Sequence, residues 1–233
     1  MVVATPDAEA GRTHLAWSYG TDIVPERGTE IETWVLEENG EGDAKESETA
    51  FWWGPVMALT PHLEFAISIE AEYKDSKDGA ASPHFTRWGG DVRYRLQSPD
   101  AVDAGPLATK LRAAAKRNIE DRSSYQLEGD VINSYHSGRV FALIDLGVVT
   151  ERSPGAKESQ FRPSGGISLR ATKELRFGVE SYGELLFEGE GTSWYVVGPT
   201  ISITSGRFWG AATYGIGVFG IRDAPRVTFG LAL

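Results

Sequence analysis

The chain has 233 residues, no cysteine and a formal net charge of -10 at pH 7, which arises from 33 acidic and 23 basic residues. Without cysteine there are no disulfides, thiolate metal sites or cysteine nucleophiles, and the negative charge disfavours nucleic acid as a partner. Apolar residues make up 41% of the sequence, yet no run approaches the roughly eighteen consecutive apolar residues that a membrane-spanning helix needs. Any membrane crossing must therefore be made by strands.

The first 28 residues precede the first predicted strand. Residues 1–10 lack the basic and apolar regions of a signal peptide, and the small polar run 4–10 is typical of a mature N-terminus. We therefore interpret Met1 as an initiator and expect any export signal to have been removed. We predict two parts: an N-terminal periplasmic or lumen segment at 1–28 and a transmembrane β-barrel at 29–233.

Period-two alternation of apolar and polar residues recurs along the remaining chain, and it is clearest from Leu63 to Tyr73. The alternating segments are longer than the five or six residues usual in soluble sheets and match the roughly nine to eleven that a membrane strand needs. We predict an all-β fold, a transmembrane antiparallel up-and-down β-barrel of about 12 strands. The predicted strands are 29–38, 49–60, 63–73, 85–97, 107–118, 125–135, 139–150, 159–170, 175–187, 194–204, 207–220 and 226–233.

The connections alternate in length, as the short periplasmic turns and long extracellular loops of outer-membrane barrels do. Two connections depart from this alternation: 98–106 is long where a turn is expected, and 221–225 is short where a loop is expected. The predicted loops are 39–47, 74–84, 119–124, 151–158 and 189–193, and the predicted turns are 60–62, 136–138, 171–174 and 205–206.

Aromatic residues near the loop ends of the strands predict an interfacial girdle on the outer face. Its members are Phe51, Trp53, Tyr73, Trp88, Tyr125 and Tyr195. The segment 107–118 also has helical propensity, with Pro106 before it. We favour a strand there because Leu111 alternates with Lys110 and Arg112, and because an even strand number needs it.

The run Val24-Pro-Glu-Arg-Gly-Thr-Glu-Ile-Glu-Thr-Trp34 resembles the entry to the first strand in porin-like bacterial outer-membrane β-barrel proteins, a poorly characterised family. The last strand resembles the C-terminal signal that barrel-assembly machinery recognises, although the final residue is Leu233 rather than an aromatic one. The resemblance implies a barrel in the bacterial outer membrane and no particular substrate.

Inward-facing positions of the early strands carry charges that predict an acidic wall beside a basic wall. The predicted pore-lining residues are Glu30, Glu32, Glu64, Glu70, Glu72, Arg87, Asp91, Arg93, Arg95, Lys110, Arg112 and Lys116. Opposed charges across a narrow lumen select small charged or zwitterionic solutes. Equally, the same side chains can pair with one another and fill a closed interior.

A hydrolase at the barrel rim is a less favoured hypothesis, because it would need a histidine base beside a nucleophile. His62 and His136 fall in predicted turns, and His14 precedes the barrel. This leaves His84, near Ser82, Asp75 and Asp78 in a predicted loop. Acidic loops at 37–43 and 188–191 lack the spacing of a calcium loop.

We therefore expect a non-enzymatic, monomeric outer-membrane channel that passes small polar or charged solutes, with no cofactor and no metal. Its expected partners are membrane lipids, barrel-assembly machinery during biogenesis and small solutes, but not nucleic acid. A closed barrel with a structural or surface-binding role is the alternative. A soluble sandwich or barrel is the alternative fold, and it would place Phe65, Ile67 and Ile69 in a dry core.

Overall fold

The computed structural model describes residues 13–25, 27–40, 47–75, 83–97 and 105–233, and these residues form a closed antiparallel barrel in which each strand pairs with its neighbours in sequence. β1 closes the ring by pairing with β12, so that Val35 lies opposite Val227. The strands are β1 (Thr29–Asn39), β2 (Ser47–Thr60), β3 (Leu63–Asp75), β4 (His84–Arg95), β5 (Leu107–Asn118), β6 (Tyr125–Ser137), β7 (Val140–Ser153), β8 (Ala156–Arg170), β9 (Leu175–Glu188), β10 (Trp194–Ser205), β11 (Phe208–Phe219) and β12 (Asp223–Ala232).

The outer face of the barrel is apolar and the inner face is polar, which confirms the predicted fold class. On β3, Ile67 is 43% exposed while its neighbour Ser68 is 1% exposed, and the same alternation runs through the other strands. A soluble sandwich would bury Ile67 instead. A continuous apolar outer belt of this kind suits the hydrocarbon core of a membrane, because that core offers no hydrogen-bond partners to polar side chains. No helix among the described residues is long and apolar enough to cross a membrane.

The segment 107–118 is a strand, as predicted, despite its helical propensity. Ala113 pairs with Val92 on β4 and with Gly129 on β6. The strand state places Lys110, Arg112 and Lys116 on one face. There Arg112 pairs with Glu128 on β6 and Lys116 pairs with Glu70 on β3. Tertiary pairing therefore overrides local propensity.

Two predicted boundaries were wrong near the later strands. The predicted loop at 151–158 is mostly strand, because β7 and β8 continue until they are joined by Pro154 and Gly155, the latter with φ of 81°. Glycine favours that left-handed conformation and so permits the tight turn. The last strand begins at Asp223 rather than at 226, because Asp223 pairs with Ile216. The long connection at 98–106 falls mostly outside the described residues.

The barrel has two distinct ends, which we call the turn end and the loop end. The turn end holds the start of β1, the end of β12 and the short links at 61–62, 138–139, 171–174 and 206–207. The loop end is the opposite one, where β1 ends and β2 begins. Of the predicted aromatic girdle near the loop end, Phe51, Trp53, Trp88 and Tyr125 are exposed, and Tyr73 and Tyr195 are partly buried.

Candidate functional site

Residues 13–25 lie inside the barrel, entering from the turn end and returning to it; we call this part of the chain the lumen segment. His14 contacts Phe141 at the start of β7, with ring centroids 4.7 Å apart. The chain then rises to Trp17 and descends again, so that the Val24 N–H donates to the Glu64 carboxylate near the start of β3. A turn closed by a hydrogen bond of 2.7 Å from Gly28 N–H to Pro25 oxygen leads into β1.

The apex of the lumen segment is held by charge and by aromatic packing. The N–H groups of Ala16 and Trp17 donate to the two oxygens of Glu180, at 2.9 and 3.1 Å. The Trp17 ring stacks on Tyr182 at 4.3 Å between centroids. The Arg226 guanidinium lies 5.1 Å from the Trp17 ring centroid and 4.5 Å from that of Trp34. These contacts place the Trp17 indole across the middle of the lumen.

Further contacts fasten the segment on both sides of its apex. The hydroxyl oxygens of Ser18 and Ser164 are 2.8 Å apart, and those of Thr21 and Ser134 are 2.6 Å apart. The Tyr19 ring lies beneath the Arg112 guanidinium, 4.4 Å from ring centroid to the guanidinium carbon. Every one of these bonds is non-covalent, and the chain contains no cysteine.

In the turn-end half of the lumen the predicted charges are packed against the lumen segment. The Arg93 guanidinium lies 2.8 Å from Asp91, 3.0 Å from Glu32 and 4.0 Å from Glu64. A cavity of about 30 Å³ remains there, which is about the share of one water molecule. The predicted pore-lining residues in this half are Glu30, Glu32, Glu64, Asp91, Arg93, Arg95 and Lys110.

Three of these residues make contacts that the strand pattern did not predict. Arg95 forms an ion pair of 3.4 Å with Asp22 of the lumen segment. The Lys110 ammonium donates to the Asp22 backbone oxygen at 3.3 Å. Glu30 accepts a hydrogen bond from the Trp209 indole N–H across the β1–β12–β11 wall. The turn-end charges therefore hold the lumen segment as well as one another.

In the loop-end half the predicted charges surround a cavity of about 400 Å³; we call it the loop-end cavity. Trp17 and Tyr19 of the lumen segment form part of its lining. Lys116 lies 2.6 Å from Glu70 and also contacts Glu128. The predicted pore-lining residues in this half are Glu70, Glu72, Arg87, Arg112 and Lys116.

Several lumen residues were absent from the predicted set although period-two spacing could have identified them. Glu128 and Asp130 follow the inward positions of β6 and bind Arg112 at 2.7 and 2.8 Å. Asp145 on β7 and Arg162 on β8 also line the loop-end cavity. The prediction considered only the acidic and basic walls formed by β1 and β3 to β5, whereas these four residues lie on β6, β7 and β8. Trp17 and Tyr19 carried no periodic signal, because their segment has no regular secondary structure.

The histidines do not form a recognisable catalytic group among the described residues. His84 is the first residue of β4 rather than part of a loop, and its proposed neighbours Ser82 and Asp78 lie outside the described residues. His62 has its Nδ1 atom 2.8 Å from the Arg95 carbonyl oxygen in a turn. Within the same described ranges, no cluster of three or more potential metal ligands occurs. The acidic run at 41–43 also lies outside them.

Solved structures with a similar barrel include two porins. The NanC porin has a TM-score of 0.57 at 7% identity, covering 88% of this chain and 100% of that one. The KdgM porin in complex with disordered oligogalacturonate has a TM-score of 0.56 at 9% identity, covering 87% and 98%. The chain has a porin-like barrel fold.

The same fold also occurs in a different functional class. The translocator domain of the autotransporter NalP from Neisseria meningitidis is similar to this porin-like barrel, with a TM-score of 0.53 at 12% identity and 88% of each chain covered. No protein-family model matches the sequence, and no curated protein matches it either. Since identities this low establish only the fold, the function must be argued from the lumen itself.

Proposed function

We propose that this protein is an outer-membrane channel for small polar or charged solutes, closed in the described state by the lumen segment. The proposal rests on the way in which the lumen is blocked. A separate stretch of chain, held by hydrogen bonds and ring contacts, fills the turn-end half, whereas the wall itself leaves a cavity of about 400 Å³ in the other half. A segment of this kind can leave without disturbing the strand pairing.

The energetics of the lumen segment are compatible with such a movement. Each net hydrogen bond contributes about 1 kcal/mol, because the groups bond to water when released. Arg93 keeps Asp91 and Glu32 as partners on the wall when the segment leaves. Glu180 loses the N–H groups of Ala16 and Trp17, but it faces the lumen that water then enters. Opening therefore leaves the lumen charges either paired or in contact with water, and avoids the large cost of an unpaired buried ion.

A porin-like role agrees with the lumen chemistry and with the fold shared with KdgM and NanC. The proposal includes a bacterial outer-membrane location, contact with membrane lipids, insertion by barrel-assembly machinery and a monomeric state. Catalysis is not part of it. Refolding tests the membrane location: β-structure with heat-modifiable gel mobility should form in detergent and not in buffer alone.

Conductance in planar bilayers tests the channel. The intact protein should open intermittently, and a variant lacking residues 2–24 should conduct steadily, because the blocking segment is absent. Gel mobility of unheated samples confirms that the truncated barrel is folded. A folded, truncated barrel without conductance would contradict the proposal and favour a closed barrel with a structural or surface-binding role, which the tight packing of the turn-end half supports.

A reversible lock provides a second test that leaves the chain length unchanged. The paired substitutions Ser18→Cys and Ser164→Cys replace hydroxyl oxygens 2.8 Å apart, a separation close enough for a disulfide. Because the natural chain has no cysteine, no other disulfide can form. Oxidation should abolish openings and reduction should restore them.

The matched control for the lock lies within the wall. Thr150→Cys with Ser159→Cys replaces oxygens 3.1 Å apart on β7 and β8, which are neighbouring strands. This disulfide leaves the lumen segment free, so oxidation should not change the conductance. Equal effects of oxidation on both variants would show that the lumen segment is not the gate.

A further inference from the structure

We infer that the loop-end cavity is a binding site for a linear polyamine, a small organic cation with several ammonium groups. The inference goes beyond channel function, because the site is complete in the closed state and needs no movement of the lumen segment. With about 400 Å³, the cavity has the size of a small-molecule site rather than of an ion site.

The charge of the cavity lining favours cations. Among the described residues, ten carboxyl groups line the cavity, against five cationic side chains. A recess lined mainly by one sign of charge within low-dielectric walls concentrates ligands of the opposite sign. The imbalance therefore attracts positively charged solutes and repels anionic ones.

The cations on the β4–β5 side of the cavity already bind carboxylates. Arg87 lies 2.8 Å from Glu151 and 3.4 Å from Glu72. Lys116 contacts Glu70 and Glu128, and Arg112 contacts Glu128 and Asp130. An anionic ligand would have to displace these carboxylates, at the cost of leaving them unpaired in a confined space.

The two remaining cations of the lining are engaged as well. Arg162 lies 3.0 Å from Glu184. Arg226 is placed over the rings of Trp17 and Trp34, where the negative ring faces stabilise its charge. All five cationic side chains therefore have partners, while the lining retains a surplus of carboxyl groups.

Two buried acceptor atoms in the lining specify what the ligand supplies. The Oδ1 atom of Asp145 and the Oε1 atom of Gln126 have no hydrogen-bond partner among the described residues. Asp145 is 4% exposed and Gln126 is 5% exposed, and both line the cavity. Buried acceptors without partners are costly. An ammonium group can satisfy either acceptor, because it has three N–H donors and a positive charge. The two acceptors lie at different heights in the register of β6 with β7, so each requires its own donor.

The carboxyl groups of the lining also lie on opposite sides of the barrel, which favours a ligand with more than one ammonium group. Asp145 is on β7, whereas Glu38 and Glu48 face one another in the β1–β2 register and line the same cavity. β1 and β7 are six strands apart in either direction around the barrel. A linear polyamine can place separate charges near both groups, whereas a single compact ion cannot.

Isothermal titration calorimetry on the full-length protein in detergent, with spermidine as the probe at physiological salt, tests the site. We expect saturable one-to-one binding. Asp145→Asn should weaken it about ten- to hundredfold, the range expected for loss of a charge-assisted hydrogen bond. Gln126→Met removes the second acceptor without changing the charge, and should weaken binding several-fold.

The matched control removes the same charge outside the cavity. Glu120→Gln lies on the exposed link between β5 and β6 at the loop end, so it should leave the affinity unchanged. Equal affinity in the natural protein and in both cavity variants would overturn the site. So would equally tight binding of magnesium ion, or binding of trigalacturonate in place of spermidine. None of these measurements depends on conductance. Absence of spermidine binding would therefore leave the channel proposal intact, and absence of conductance would leave the proposed binding site intact.

Discussion

The two halves of the lumen accommodate buried charge in different ways. In the turn-end half, Arg93 is shared by three carboxylates and covered by the lumen segment, and a space of only about 30 Å³ remains. In the loop-end half, Arg87 also contacts three carboxylates, yet its side chain is 21% exposed beside a cavity of about 400 Å³. Similar ion pairs therefore experience a dry environment at one end and a wet one at the other.

The difference shows that pairing of charges and closure of the lumen are separate properties. The pairs between β3 and β4 arise from the strand register, which places Glu70 opposite Arg87 and Glu64 opposite Arg93. Closure arises from thirteen residues that belong to no strand. A comparison of the same substitution in the two halves should therefore separate the two properties.

The largest expected effect comes from removing the shared cation of the turn-end half. Arg93→Met leaves Asp91, Glu32 and Glu64 without their common partner in a dry site, and should lower the free energy of unfolding by about 3–5 kcal/mol. Arg87→Met, in the wetter half, should lower it by about 1 kcal/mol or less. Urea unfolding in lipid vesicles measures both, and equal losses would contradict the distinction between the halves.

Removing the indole at the apex of the lumen segment should release the segment while the barrel stays folded. Trp17→Ala deletes a ring that is 3% exposed and stacked on Tyr182, which should cost about 3 kcal/mol of docking free energy. Residues 13–25 should then become accessible to a non-specific protease. The control Trp53→Ala, on the outer face, should leave the segment protected. Protection of the segment in Trp17→Ala would show that the indole does not hold it.

A smaller effect is expected at the carboxylate that receives the apex N–H groups. Glu180→Gln keeps the shape but turns one acceptor into a donor that faces the N–H of Ala16 or Trp17, at a cost of about 1–2 kcal/mol. Protease cleavage of the lumen segment should accelerate about tenfold, since 1.4 kcal/mol corresponds to a factor of ten. Glu174→Gln, in an exposed turn, should not change the cleavage rate.

The smallest effect is expected at the rim of the loop end. Lys157 and Glu188 form an ion pair of 2.7 Å with both side chains nearly half exposed. Water and salt weaken such a pair, so Lys157→Ala should not measurably shift the urea midpoint. A clear shift of the urea midpoint would mean that this rim ion pair stabilises the barrel as the buried ion pairs of the turn-end half do.

The sequence alone determined the wall of this protein. Alternation with period two identified all twelve strands, because one face of each strand meets an apolar surrounding and the other a polar interior. The twelve predicted charged residues all lie on the inner face for the same reason. Errors were confined to strand ends, such as Asp223, where pairing with Ile216 extends the strand beyond the periodic pattern.

Only the tertiary structure decided what fills the lumen inside the wall. Residues 13–25 have no periodicity, so their sequence does not reveal that Trp17 packs on Tyr182 or that Glu180 receives two N–H groups from so far along the chain. Nor does strand pattern reveal which charges are dry and which border a cavity. Periodicity reports which face a side chain is on, whereas occupancy of the lumen depends on contacts between distant parts of the chain, and those exist only once the barrel has closed.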